Sequence, residues 1–385
     1  MLASACVQRL NALRVLVLDE LVPFWASTGF DAAAGRFHEQ LTLQGLPDQS
    51  VPRRCMVQAR QVFSLCTADR LNGGRRHSAV MDRGVDSLAE GYPIDAGRRG
   101  CVYSIDGAGT VVDGTRDVYA HAFVVLALSN AYRTVGDRSL IDRVDQLLAF
   151  LDEALGDPVP GSYRSHDRAD ADALRSQNPH MHLLEALLSA EEAFGSGRYV
   201  ERAEQIVTLF QQRMFNHELG VIPESFDDTW NPLGPSEHTV WEPGHQFEWA
   251  WLLDWYSRLT GSHRLVEADR MIEQGLALGM ISNAGVVDSV VGLTPPTEPT
   301  YRLWPQTEFI KALSSKTALM PHDLKALHDV LQALLDRFLS APSPGCWIDR
   351  LDGRQHPASA FVPASSLYHL TMAMSEVDNL MARIR

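Results

Sequence analysis

The sequence predicts an all-α fold, an (α/α)6 barrel of six helical hairpins, and three observations carry it. Helical periodicity runs through nearly the whole chain. The helical segments are of two alternating kinds, one amphipathic and one apolar on every side. The second kind begins near residues 54, 119, 178, 245, 304 and 365, at gaps of 65, 59, 67, 59 and 61 residues. A period near 60 that occurs six times is six hairpins, and six hairpins close into a ring with six helices inside and six outside.

Taken in order, the first helical segment falls near 8–25, with Arg9 and Arg14 inside its apolar stretch. Segment 54–71, with the run RRCMVQARQVF, opens the inner series and 78–91 follows it outside. Segment 117–133 carries VYAHAFVVLALSNAY, which has no solvated face, whereas 139–155 reads LIDRVDQLLAFLDEAL, an outer helix with one charged side. The pair repeats as HMHLLEALLSA in 179–194 and YVERAEQIVTLFQQRMF in 199–215. It repeats again as HQFEWAWLLDWY in 244–259 with 264–279, and as 304–316 with 321–340, which contains LKALHDVLQALLDRFL. Segment 363–378 is the last inner helix. Inner-to-outer connections are short (VGDRS, FGSGR, TGSHR), while outer-to-inner loops often reach 20 to 30 residues. Loops of that length in a compact domain are usually functional. One of them, CVYSIDGAGTVVDG, has the turn and alternation of a short β-hairpin. All the long loops feed the N-terminal ends of inner helices, so that end of a single domain spanning 1–385 should hold the site.

Composition narrows the function. With 45% hydrophobic and 21% charged residues the chain is globular. A net charge of −14 disfavours nucleic acid as a partner, and no apolar run reaches the length of a membrane span. Five scattered cysteines with no CxxC pair, and no signal-peptide pattern, point to a cytoplasmic protein with free thiols.

Each inner helix starts with polar residues that a buried helix does not need: Arg54, Gln58 and Arg60; Tyr119 and His121; Asn178, His180, His182 and Glu185; His245 and Glu248; Trp304, Gln306 and Glu308; Tyr368 and His369. Six helices doing so at one end imply a shared polar pocket. In WEPGHQFEWAWLL, Pro243 and Gly244 mark a helix start, and His245 in the first turn is disfavoured as an imidazolium by the helix dipole. A neutral imidazole there serves as a base, with Glu248 three residues on along the same face. His369 occupies a corresponding place in SSLYHLTMAM. Asn178 reads either as an N-cap before Pro179 or as a pocket residue. Arg54 is expected at the pocket, and Arg60, deeper, is expected to pair with Glu308. Trp241, Trp249, Trp304 and Trp347 suit either sugar stacking or core packing; Trp251 suits the core. His245, Glu248 and His182 are zinc-ligand types, but no HExxH or comparable spacing supports a metal.

The motifs MVQARQ (56–61), DVYAHAF (117–123), NPHMHLLEALL (178–188), EPGHQFEWAWLL (242–253), LWPQTEF (303–309) and SLYHL (366–370) together resemble the N-acylglucosamine 2-epimerase family, over nearly the whole chain and in order. The resemblance implies an (α/α)6 barrel acting on the anomeric end of a free sugar, with no redox cofactor and no catalytic metal. It implies His245 and His369 as acid and base, and Arg54, Tyr119, Asn178 and His182 as sugar contacts. Glu248 and Glu308 match acidic residues that touch sugar or orient a histidine. EPGHxxEWAWLL is closest to the aldose–ketose isomerase branch, so D-mannose–D-fructose isomerisation is the expected reaction. The alternatives are 2-epimerisation of N-acetylglucosamine or of a glucose-ended disaccharide, and sulfoquinovose isomerisation. The loop GPSEHTVW, without Arg or Lys, argues against a sulfonate. A homodimer is compatible with this reading. A glycoside hydrolase could use Glu248 and Glu308, but would leave two histidines without a role.

Overall fold

A computed structural model describes residues 1–90, 100–168 and 174–384. The inner helices are α3 (Cys55–Leu71), α5 (Val118–Val135), α7 (Gln177–Phe194), α9 (Pro243–Thr260), α11 (Leu303–Ser315) and α13 (Ser366–Ile384). Each packs on the next and α13 packs on α3, which closes the ring. Outside them lie α4 (Ser78–Glu90), α6 (Ser139–Leu155), α8 (Arg198–Leu209), α10 (Val266–Gly279) and α12 (Pro321–Ala333). Each of these packs on the inner helix before it.

The sixth outer position is filled from the other end of the chain. Helix α1 (Leu2–Val15) runs through a π-helical stretch, Leu16–Leu21, into α2 (Val22–Ser27), and this rod lies against α12 and α13. It starts earlier than the 8–25 expected, and Pro23, which has no N–H for an i→i−4 bond, sits just past the π stretch. Five hairpins are therefore contiguous in sequence and the sixth joins the first helix to the last.

The two helix kinds bury as their patterns dictate. In α6 the buried residues Leu140, Val144, Leu148, Leu151 and Leu155 form one stripe. In α5 every residue from Ala120 to Ala131 is buried. The short turns end helices by the usual device: Gly136 and Gly195 are left-handed at φ 73° and 63°, a conformation that L side chains adopt only with strain.

The mouth of the barrel is bound by a cycle of strand pairings. Residues just ahead of each inner helix pair, antiparallel, with a segment of the following long loop. Arg53–Arg54 joins Ser104–Ile105, Arg175–Ser176 joins Ser225–Phe226, Val240–Trp241 joins Val290–Val291, and Tyr301–Arg302 joins Arg350–Leu351. Asp117 forms a single bridge to His166, and Phe361–Pro363 returns to Gln40–Thr42 ahead of the first inner helix. The hairpin expected in 101–114 is present as Ser104–Ile105 against Val111–Asp113.

Candidate active site

At the mouth, the N-terminal ends of the inner helices surround a cavity of about 550 Å³. Tyr119, Asn178, His182, His245, Glu248, Trp304 and His369 line it, as does Arg60. Seven of the nine predicted site residues thus meet at one cavity; Arg54 and Glu308 do not line it.

The two histidines flank Trp304, whose ring lies 4.9 Å from that of His245 and 5.5 Å from that of His369. Their surroundings differ. His245 Nδ1–H donates to Glu224 Oε2 at 2.8 Å, and Glu242 Oε2 lies at 3.7 Å. Burial pulls the imidazolium down, but the charge and hydrogen bond of Glu224, then Glu242 and Glu248, overcome it and lift the pKa to about 9. This overturns the neutral His245 expected from the helix dipole, and the expected His245–Glu248 pair is replaced by His245–Glu224. Glu224 itself is held by Gln177 Nε2 at 2.9 Å and by the Glu242 backbone N–H at 3.0 Å.

His369 Nδ1–H donates to Glu308 Oε1 at 2.8 Å, which leaves Nε2 as its free nitrogen. Burial, then the positive charges of Arg60 and Lys311, hold its pKa well below the usual value. His182 is likewise neutral: burial chiefly, against the pull of Glu248 and with the push of Arg60, takes it to about 3. Its Nδ1–H donates to Glu185 Oε2 at 3.1 Å, and Glu185 also accepts from the Tyr368 hydroxyl at 2.5 Å.

Open acceptors face this space. Both Glu248 oxygens and Asn178 Oδ1 are buried and accept no hydrogen bond from the described residues. Asn178 is not the N-cap; α7 starts one residue earlier and Ser176 caps it through the Asn178 N–H. Buried acceptors without donors fit a ligand rich in hydroxyl groups.

Several expectations are corrected. Arg54 turns away to Glu39, donating from Nε to Oε1 at 2.6 Å and from its backbone N–H to Oε2 at 2.9 Å, so it binds a loop to the start of α3. Glu308 lies beneath the cavity and orients His369. Arg60 does not pair with it; its guanidinium lines the cavity, donates to Tyr119 Oη at 2.5 Å and covers Phe123 at 4.1 Å. The partner of Glu308 is Lys311, at 2.5 Å. Of the tryptophans, Trp241, Trp249 and Trp347 are core residues with 0% exposure. The indole N–H of Trp241 donates to Gly292 O and that of Trp249 to Gln177 Oε1. His121, His180, Gln58 and Gln306 hold loop backbone rather than ligand: His180 Nε2 accepts from Tyr163 N–H, and Gln306 both accepts from and donates to Val286. Sequence reasoning missed Glu224 and Lys311. Glu224 lies 21 residues from its partner, and only the cost of burying a lysine in an inner helix signalled the other.

Three groups have ligand atoms close enough to hold a metal: His182, Glu185 and Glu248; Glu224, Glu242 and His245; Glu248, Glu308 and His369. All three already face a side-chain cation, because Arg302 Nη2 sits 2.6 Å from Glu242 and Lys311 sits against Glu308 and against Glu248, which two of the groups share. A resident divalent ion would have to displace or oppose these groups.

Two histidines in opposite electrostatic settings at the mouth of an (α/α)6 barrel suit a sugar isomerase or epimerase. Residues 35–373 match the N-acylglucosamine 2-epimerase (GlcNAc 2-epimerase) family, and the chain belongs to it. It is 32% identical over 379 residues to a protein of Rhizobium meliloti named mannose-6-phosphate isomerase, covering 95% of this chain and 96% of that one. It is 31% identical over 223 residues to a D-mannose isomerase of Thermobifida fusca, covering 54% and 53%. The cellobiose 2-epimerase of Bacillus thermoamylovorans has the same fold, with a TM-score of 0.86 at 17% identity over 96% of this chain and 98% of that one. Among the described residues no helix is long and apolar enough to cross a membrane.

Proposed function

We propose that the protein interconverts D-mannose and D-fructose through an enediol. The observation that carries this is two histidines on either side of one tryptophan, His245 facing Glu224 and Glu242 and His369 facing Glu308 backed by Lys311, which favours the charged form of the first and the neutral form of the second. Environments that push two titratable groups apart assign the acid and the base. The His245 imidazolium gives a proton to the ring oxygen as the sugar opens, and returns to its charged form by taking the hydroxyl proton from C1. His369 Nε2 then removes the proton from C2 of the aldehyde, and the electron pair moves to make the C1–C2 double bond of the enediol. The His245 imidazolium protonates O1 to complete the enediol and takes the proton from O2, and delivery of the carbon-bound proton from His369 to C1 gives the ketose. Delivery to the other face of C2 gives the epimer. Arg60 and Tyr119 stabilise oxygen charge in the enediolate, and Glu248 and Asn178 accept sugar hydroxyls. This direction of roles rests on the charge states of the two imidazoles.

A phosphorylated hexose is a second reading. It is favoured by the name of the Rhizobium relative and by Arg350, which lines the cavity and makes no ion pair or side-chain hydrogen bond among the described residues. The deciding experiment is proton NMR in D2O with mannose and mannose 6-phosphate supplied separately, before and after dialysis against a chelator. Ketose appearing with deuterium at C1, or recovered aldose with deuterium at C2, undiminished by the chelator and lost in His369→Ala and His245→Ala variants that keep the helical spectrum, supports the reading. A C2 epimer without ketose rejects isomerisation, and metal-reversible loss rejects the metal-free route. The five cysteines, all buried and unpaired, support a cytoplasmic setting.

A further inference from the structure

Beneath the cavity floor lies a cation that no step above uses. The chain has three lysines, and Lys311 is one of them. Its side chain has no exposed surface. It does not line the cavity. Its Nζ is 2.5 Å from Glu308 Oε2 and 3.5 Å from Glu248 Oε1, and it rests on the Trp251 ring at 4.1 Å. Glu308, through its other oxygen, holds His369 Nδ1. The three groups form a buried row: ammonium, carboxylate, imidazole.

Charge balance in a dry site decides where the proton sits. A buried carboxylate beside an imidazole, with no other cation, draws a proton onto the imidazole or takes one itself. In the first case His369 becomes an imidazolium. In the second the carboxylic acid donates to Nδ1 and the ring proton moves to Nε2. Either outcome removes the lone pair that a base needs. An ammonium against the far oxygen supplies the balancing charge.

We propose that Lys311 is a positioning residue: its fixed charge holds Glu308 as a carboxylate and so keeps His369 a neutral imidazole with its proton on Nδ1 and the Nε2 lone pair toward the cavity. The assignment of His369 as the carbon base rests on the function proposed above. The other charged or titratable groups around His369 are Arg60 from α3, His182 and Glu185 from α7, His245 and Glu248 from α9, and Asp349 from the loop before α13. On His369, Arg60 pushes in the same direction as Lys311, while the carboxylates oppose both; on Glu308, burial, then Glu248, push the carboxyl well above its usual value, and Lys311 is the charge that pulls it back. Burial and the neighbouring carboxylates act in opposite senses on Lys311 itself: burial lowers its pKa, but Glu308, Glu248 and Glu185 more than restore it, and it stays charged.

The test is the Lys311→Met variant, read by nitrogen-15 NMR of the histidine rings in the protein without sugar and by the pH dependence of kcat. In the native protein His369 stays neutral with Nδ1–H at pH 6. In the variant it carries a second proton or shifts to Nε2–H at that pH. The acid limb of kcat moves up by about one to three pH units, with KM nearly unchanged. Lys311→Arg, where it folds, moves the limb back. Lys311→Met with Glu308→Gln removes a charge of each sign, keeps the site foldable and brings the limb back toward the native position. An unmoved tautomer and acid limb in Lys311→Met, or in the double variant a limb as high as in a folded single variant, overturns the proposal. The NMR reading needs no turnover, so a failure of the proposed reaction is seen separately from a failure of this one.

Discussion

In the proposed reaction a histidine serves as acid or base according to which carboxylate it faces and what charge stands behind that carboxylate. The sequence placed His245 and His369 in the pocket but misjudged the first. A helix N-terminus disfavours an imidazolium by about 0.3–1 kcal/mol. A charge-assisted bond to Glu224 at 2.8 Å in a buried site is stronger, so the carboxylate wins. Glu224 sits in a loop with no local pattern, and the contact is made when the long loop before α9 folds back over the start of that helix. Glu224→Gln should therefore lower the His245 pKa from about 9. The alkaline limb of kcat/KM is expected to move down by about one to three units, with activity at pH 6 much less affected. An unchanged alkaline limb in pH–rate measurements would remove His245 as the acid. Arg54 failed for a related reason: a charge at a helix start looks like a ligand contact from sequence, yet Glu39, 15 residues upstream, claims it.

Among elements, the fourth residue of the inner helices does the same work in most of them. Gln58, Gln246 and Gln306 each grip the N–H and C=O of one loop residue, Phe37, Ile222 and Val286 in turn. His121 and His180 accept a loop N–H and bond back to the carbonyl four residues earlier. In α13 that fourth position is His369, released from loop-holding and given to the cavity. The polar helix starts were legible in the sequence. Which of them hold loops and which hold substrate was not, because both roles use the same residue types. Gln246→Leu probes the loop-holding role, since it strands the Ile222 N–H and C=O, two residues from Glu224. A loss of about 2–4 kcal/mol in urea unfolding, together with a weakened alkaline limb, is the expected result. Full stability would show that the loop is held by other contacts.

Across the whole molecule, buried neutral histidines tie stability to pH. His121 and His180 are depressed by burial to about 4, and His182 to about 3, against an unfolded value of 6.5. The unfolded chain binds protons first as pH falls, so their contribution is complete above 6.5 and is lost as pH drops through 4 and 3. The free energy of urea unfolding should fall steeply below pH 6.5, by up to about 3 kcal/mol for each of His121 and His180. A flat profile from pH 6.5 to 4 would mean these rings are solvated. The ring itself was readable because its period spans many residues, whereas its strand pairs are mostly two residues long and carry no period. Their closure has a further effect. An open array of repeats frays from its two outermost units, each held on one side only. Here Phe361–Pro363 meets Gln40–Thr42 and α13 meets α3, so every unit has two neighbours and none is outermost. Opening any one hairpin breaks two interfaces, and amide exchange should slow to a similar degree all round the inner helices, leaving the catalytic groups, one or two from each spoke, equally guarded against local loosening.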